Sequence, residues 1–169
     1  KGMEIWLATD RGWMARFTLD DEPRPDAREA VQALQNAGLR TILLSGDRSG
    51  HVDQIAGRLG IDEAIGQASP EEKLRVLENL RDQGHQIMMV GDGLNDLPSM
   101  AGAGVSVAMG SAADLTQLKA DAVLLSGQLT QLSEALKASQ DTRRVIRQNM
   151  AWALAYNVCA LPLAAAGLV

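Results

Sequence analysis

The 169-residue chain has little that would staple or crowd a fold. A single cysteine, Cys159, excludes an internal disulfide and fits a reducing compartment. Aromatics make up 3% of the residues, with one Phe and one Tyr, so any core has to be aliphatic. The two histidines, His51 and His85, have no partner ligands at metal spacing and read as surface residues. Basic residues are also short over most of the length. Residues 1–142 carry 13 basic against 21 acidic side chains, an acidic body that argues against nucleic acid as a partner. From residue 143 onward the only charges are Arg143, Arg144 and Arg147. No charged N-region with a hydrophobic run opens the chain, so no signal peptide is visible. An abrupt start at Lys1-Gly2-Met3-Glu4, and an end inside a hydrophobic run, are what a piece of a longer protein would show. Internal repeats and low-complexity tracts are absent.

What is present is enough for one good core with an appendage. Residues 5–18 read as a hairpin turning at Asp10-Arg11-Gly12, where Asp10 is a turn acid rather than a nucleophile. A polar, proline-stiffened connection follows, Leu19-Asp20-Asp21-Glu22-Pro23-Arg24-Pro25. Helices and strands then alternate. Ala27, Ala30, Val31 and Leu34 make a helical face, and 41–44 a strand ending at Ser45-Gly46-Asp47. Val52, Ile55, Ala56 and Leu59 make a second face, stopped by Gly60. Ser69-Pro70-Glu71-Glu72 is a capping box with proline at the first helical position, backed by Leu74, Leu77 and Leu80. Strands over 87–90, 105–108 and 122–125, with a short helix over 113–119, complete the alternation. This rhythm predicts an α/β fold with a doubly wound, mainly parallel, Rossmann-like sheet.

Chemistry gathers at Val90-Gly91-Asp92-Gly93-Leu94-Asn95-Asp96-Leu97-Pro98. Two glycines allow a tight turn after a buried strand, Asn95 can cap a new helix, and Pro98 suits its first turn. The acids therefore collect at a strand's carboxyl end, where open α/β sheets bind ligands. Asp92 and Asp96 offer hard oxygens, which suit Mg²⁺ with bound phosphate. Lys73 lies in the first turn of its helix, where a cation is unfavourable unless an anion meets it.

Gly-Asp-Gly-x-Asn-Asp-x-Pro resembles the signature of P-type ATPases of the haloacid-dehalogenase superfamily, and Asn149 to Asn157, followed by Pro162, resembles their copper-exporting heavy-metal branch. Ser45-Gly46-Asp47 is similar to that family's Thr-Gly-Asp, Pro70-Glu71-Glu72-Lys73 to its Pro-x-x-Lys, and Asp21 with Arg24 to its Asp-Pro-x-Arg hinge. The resemblance implies that residues 1–18 are the tail of a nucleotide-binding domain and 19–137 most of a phosphorylation domain. Residues 138–169 would be a helix leading into a truncated transmembrane segment. It implies Ser45, Gly46, Asp47, Lys73 and Asn95 as catalytic and Asp92 and Asp96 as Mg²⁺ ligands. Asp47, Asp21 and Arg24 would lie toward ATP. Asp-Lys-Thr-Gly-Thr, where the family forms its aspartyl phosphate, does not occur. Without a nucleophile the fragment alone is expected to be inactive, its partner being the N-terminal half of the same chain. Rival readings are a soluble Mg²⁺-dependent phosphatase of the superfamily and a non-catalytic regulatory module derived from it.

Gln148 to Val169 holds no charged residue, close to the ~20 residues that cross a bilayer core of ~30 Å. The arginines before it predict a cytoplasmic start, with the phosphorylation domain facing the cytoplasm of a bacterial membrane. Tyr156-Asn157, followed by Pro162, resembles the pair that contributes to the Cu⁺ site in copper pumps. A polar side chain at that depth usually lines a pathway. Cys159 reads as an inert small residue.

Overall fold

The computed structural model describes residues 3–10, 12–19 and 22–167, which divide into two compact units, Lys1–Thr130 and Gln131–Val169. The first unit opens with an antiparallel hairpin, β1 (Met3–Thr9) and β2 (Gly12–Leu19), whose turn contains Asp10 as expected. Its register shifts between Leu7 and Ala8, leaving Met14 without an opposite residue. That extra residue puts Trp13 on the same face as Trp6 and Arg16. The indoles meet edge-on with centroids 5.3 Å apart, and the Arg16 guanidinium lies 5.5 Å from the Trp6 ring centre.

Beyond the connection, helix and strand alternate as the spacing predicts. α1 (Ala27–Asn36) buries Ala27, Ala30 and Leu34, the face read from the sequence. β3 (Ile42–Leu44) and α2 (Ser49–Leu59) follow. Gly60 closes α2 in the left-handed conformation at φ 75°, and its N–H is taken by Ala56. A short strand, β4 (Glu63–Ile65), pairs in parallel with β3. Three residues beginning with a glutamate give no apolar alternation to detect, so sequence reasoning missed it. α3 (Pro70–Asp82) buries Leu77, a contribution of about 1.5–3 kcal/mol for one fully buried aliphatic side chain. β5 (Met88–Gly91), β6 (Val105–Met109) and β7 (Ala122–Leu124) form a second parallel sheet, interleaved with α4 (Leu97–Gly102) and α5 (Asp114–Lys119). Its core is Met100, Ala108 and Ala112, with Met89, Ala120 and Val123 packed against them.

Two expectations about this sheet are corrected. The parallel strands form two sheets, β3–β4 and β5–β6–β7, because the second edges of β3 and β5 find no partner strand among the described residues. For the same reason β5 is half-buried rather than buried, and Met88 is exposed.

The second unit is one helix, α6 (Gln131–Ala165), with Pro162 inside it. The expected transmembrane helix within 138–169 is not met. No helix among the described residues is long and apolar enough to cross a membrane. Beyond Arg147 the helical residues include Gln148, Asn149 and Asn157, whose amides dilute the apolar run before the helix ends at Ala165.

Candidate active site

The carboxyl ends of β3 and β5 and the first turn of α3 supply the chemistry-bearing side chains. After β3, the Ser45 N–H donates to the Ile65 carbonyl (3.0 Å). The carbonyls of Ser45 and Asp47 accept from Ala68 N–H (2.9 Å) and Gln67 N–H (2.6 Å). The 45–47 loop is thus stitched to the segment that enters α3. There the predicted capping box is complete: the Ser69 hydroxyl accepts from Glu72 N–H (3.2 Å), and Ser69 N–H donates to the Glu72 carboxylate (2.8 Å). Glu71, beside it, is held below the ordinary 4.5 by its own backbone N–H and then by the Ser69 hydroxyl.

That rigid first turn carries Lys73. Its Nζ donates to Asp96 Oδ1 at 2.8 Å, with the two side chains only 13% and 16% exposed. The anion that a first-turn cation asks for is therefore present, supplied from the loop after β5. Glycine makes the approach possible: a Cβ on Gly91 would stand 3.1 Å from Asp96 Cβ and 3.2 Å from its Oδ2. Hydrogen bonds thus run from Ser45 through the 65–69 segment to Lys73 and on to Asp96.

Other assignments fare differently. Asp92 is exposed and has no hydrogen-bond partner among the described residues. Asn95 does not cap a helix; it lies inside a 3₁₀ turn, Leu94–Asp96, and the residue before α4 is Asp96, with Pro98 in the first turn as expected. The turn's own Asp96 N–H to Gly93 carbonyl bond (3.1 Å) closes it without a side-chain cap. The Ser45 hydroxyl donates to Asp47 Oδ2 (3.1 Å) and accepts from Asp47 N–H (3.1 Å), so it is engaged within its own loop. Gly46 N–H, by contrast, has no acceptor among the described residues.

Residues 3–104 match the haloacid dehalogenase-like hydrolases. The chain belongs to that family. Curated relatives carry the likeness further. The cation-transporting P-type ATPase B of Mycobacterium tuberculosis is 42% identical over 165 residues, 98% of this chain and 22% of that protein. The copper-exporting P-type ATPase of the same organism is 44% identical over 149 residues, covering 88% and 20% respectively. A crystal structure of a zinc-transporting PIB-type ATPase in its E2.Pi state superposes with TM-score 0.86 at 32% identity, covering 95% of this chain and 26% of that one. The chain therefore spans about a fifth of the length of the curated relatives it matches.

The donor set at the β5 edge fits Mg²⁺. Asp92 and Asp96 are hard carboxylates on one turn, and Mg²⁺ takes one or two of these with water and phosphate rather than a full protein cage. No group of three His, Cys, Asp or Glu residues able to hold a metal ion occurs among the described residues. Asp21 lies outside the described residues. Arg24 turns its guanidinium onto the Gly127 carbonyl (3.3 Å) and the Ser111 hydroxyl (3.4 Å). On α6, Tyr156 is exposed, and Asn157 donates its amide to the Ala153 carbonyl (2.9 Å). As neighbours in sequence they point about 100° apart around the helix.

Sequence reasoning missed two carboxylates at the opposite sheet edge. Asp62 Oδ2 accepts from Thr41 N–H (2.7 Å) and its hydroxyl (2.9 Å), and Asp121 Oδ2 from Ser106 N–H (2.8 Å) and its hydroxyl (2.7 Å). Both are held below the ordinary 3.8, Asp62 chiefly by the Thr41 N–H and Asp121 chiefly by the Ser106 hydroxyl. The signal available was an Asp one residue before each short strand.

Proposed function

We propose that the chain is the phosphoryl-handling part of a heavy-metal P-type ATPase. In that longer protein, ATP hydrolysis through an aspartyl phosphate drives Cu⁺ out across a bacterial membrane, with this domain on the cytoplasmic side. The observation that carries the reading is the Lys73–Asp96 pair, a nearly buried ammonium held by an acid from the loop after β5. Phosphoryl transfer asks the protein mainly for positioned charge. Lys73 neutralises the moving phosphoryl group, and Asp96 holds its ammonium in place. Gly46 N–H donates to a phosphoryl oxygen, and the Ser45 hydroxyl does so once released from Asp47. Asp92 and Asp96 would hold Mg²⁺, which when bound neutralises phosphate oxygens, and Asn95 orients its waters. Asp47, Asp21 and Arg24 lie on the nucleotide side. The reacting aspartate is supplied by sequence beyond these 169 residues, so this chain alone turns over no ATP.

Two measurements test this. Labelled ATP with Mg²⁺ should leave no acid-stable, hydroxylamine-labile phosphoprotein; finding one refutes the assignment of the nucleophile elsewhere. Inorganic phosphate with Mg²⁺, added to ¹⁵N-labelled chain, should move the Gly46 amide and the Lys73 side-chain resonances together. Resonances that ignore phosphate at tens of millimolar overturn the site. Copper is favoured over zinc by the 44% identical copper-exporting relative against the 32% identical zinc-transporting structure, and by Tyr156-Asn157 in α6. In the longer protein, Cu⁺-stimulated hydrolysis should fall with Asn157→Ala, and stimulation by Zn²⁺ alone would reverse the choice of metal.

A further inference from the structure

Gln67 has a backbone that its residue type rarely adopts. It is the non-glycine residue with positive φ among the described residues, at 56°, in the left-handed region. In an extended segment, successive N–H groups point to opposite sides. A left-handed residue turns two of them the same way. Here Gln67 N–H and Ala68 N–H both reach the loop after β3, at the Asp47 and Ser45 carbonyls (2.6 and 2.9 Å). The side chain adds a second hold: Gln67 Oε1 accepts from the Ser49 hydroxyl at 3.3 Å. The neighbouring Gly66 lies so close to α2 that a Cβ on it would meet Ser49 Cα at 2.5 Å and Ser49 N at 2.9 Å. The loop 45–47 is therefore gripped from one side through its carbonyls, while Gly46 N–H is left without an acceptor.

We propose that Gln67 is a positioning residue for phosphate binding, holding the Ser45-Gly46-Asp47 loop so that its free amide is set for a phosphoryl oxygen. This rests on the functional reading above. A strained residue persists only where its surroundings over-determine it: the main chain of Gln67 is committed to the 45–47 loop, and its side chain to Ser49, the first residue of the helix that follows that loop. Glutamine suffices because only an acceptor is needed from the side chain. Glutamate would serve Ser49 equally.

The test is a titration of the ¹⁵N-labelled 169-residue chain with inorganic phosphate and MgCl₂, reading the Gly46 amide, alongside a thermal melt. Gln67→Ala keeps the backbone and removes the acceptor; Ser49→Ala removes the donor from an exposed position at the start of α2 and keeps the proposal testable if the first variant fails to fold. Each should weaken phosphate binding at Gly46 three- to tenfold. The pair together should be no worse than either alone, and Gln67→Glu should stay within twofold of wild type. Wild-type binding that Gln67→Ala and Ser49→Ala leave unchanged overturns the positioning role and spares the site. Wild-type chain whose Gly46 amide ignores phosphate overturns the site itself. Weakening that Gln67→Glu fails to restore overturns the role of the acceptor.

Discussion

The parallel strands carry carboxylates at both ends, and the two ends use them in opposite ways. At the amino edge, Asp62 and Asp121 sit just before β4 and β7. Each gives one carboxylate oxygen to a hydroxyl and an N–H of one residue, Thr41 just before β3 and Ser106 near the start of β6. At the carboxyl edge, Asp92 has no protein partner among the described residues, and Asp96 meets one ammonium. A carboxylate accepts about four hydrogen bonds. The amino edge commits half of that capacity to strand alignment, and the carboxyl edge leaves most of it for a ligand. The location of an acid in a parallel sheet is thus informative only together with its donors.

Lys73→Met should have the largest effect, since it strands Asp96 in a mostly dry setting: about 2–3 kcal/mol lost in chemical denaturation. A loss below that of Asp92→Asn would mean the carboxyl edge is not held by the pair. Gly91→Ala should cost about 1–2 kcal/mol, because the new Cβ must push back the Asp96 side chain. It should also weaken the phosphate response. A neutral result there would show that the close approach is incidental. The amino edge is tested by acid. Asp62 and Asp121 have folded values below 3.8, so their stabilisation is complete above that pH and disappears as pH falls through the folded values. Melting temperature should therefore drop from pH 5 to pH 3, and the double variant Asp62→Asn/Asp121→Asn should flatten the drop. An unchanged slope would remove the distinction between the edges. Asp92→Asn should shift stability by no more than about 0.5 kcal/mol in either direction, while abolishing the Mg²⁺ dependence of phosphate binding. A larger loss would make Asp92 structural after all.

Much of the carboxyl edge was legible in sequence because its signals are local. Ser69 and Glu72 stand three apart and cap each other, and Lys73 announces an anion merely by standing in a first turn. What escaped depends on pairing between distant segments. β4 is too short to show alternation, and nothing local ties Asp62 to Thr41 or Asp121 to Ser106. Asn95 suits a cap by its residue type, but the 3₁₀ turn closes on backbone bonds first. Gln67 gave no warning, since glycine or asparagine is the usual marker of a left-handed position. The C-terminal run misled in another way: a charge-free stretch is not the same as an apolar one, and the three amides of α6 beyond Arg147 make the difference.

The hairpin's paired indoles have a practical corollary for anyone following this chain by light. No tryptophan lies between Trp13 and Trp152, so emission reports on β1–β2 and on α6, and is silent about the segment that carries Ser45, Lys73 and Asp92. A fluorescence melt could show two clean transitions while the chemistry-bearing sheets come apart unseen. Far-ultraviolet dichroism or backbone NMR has to stand watch over them instead.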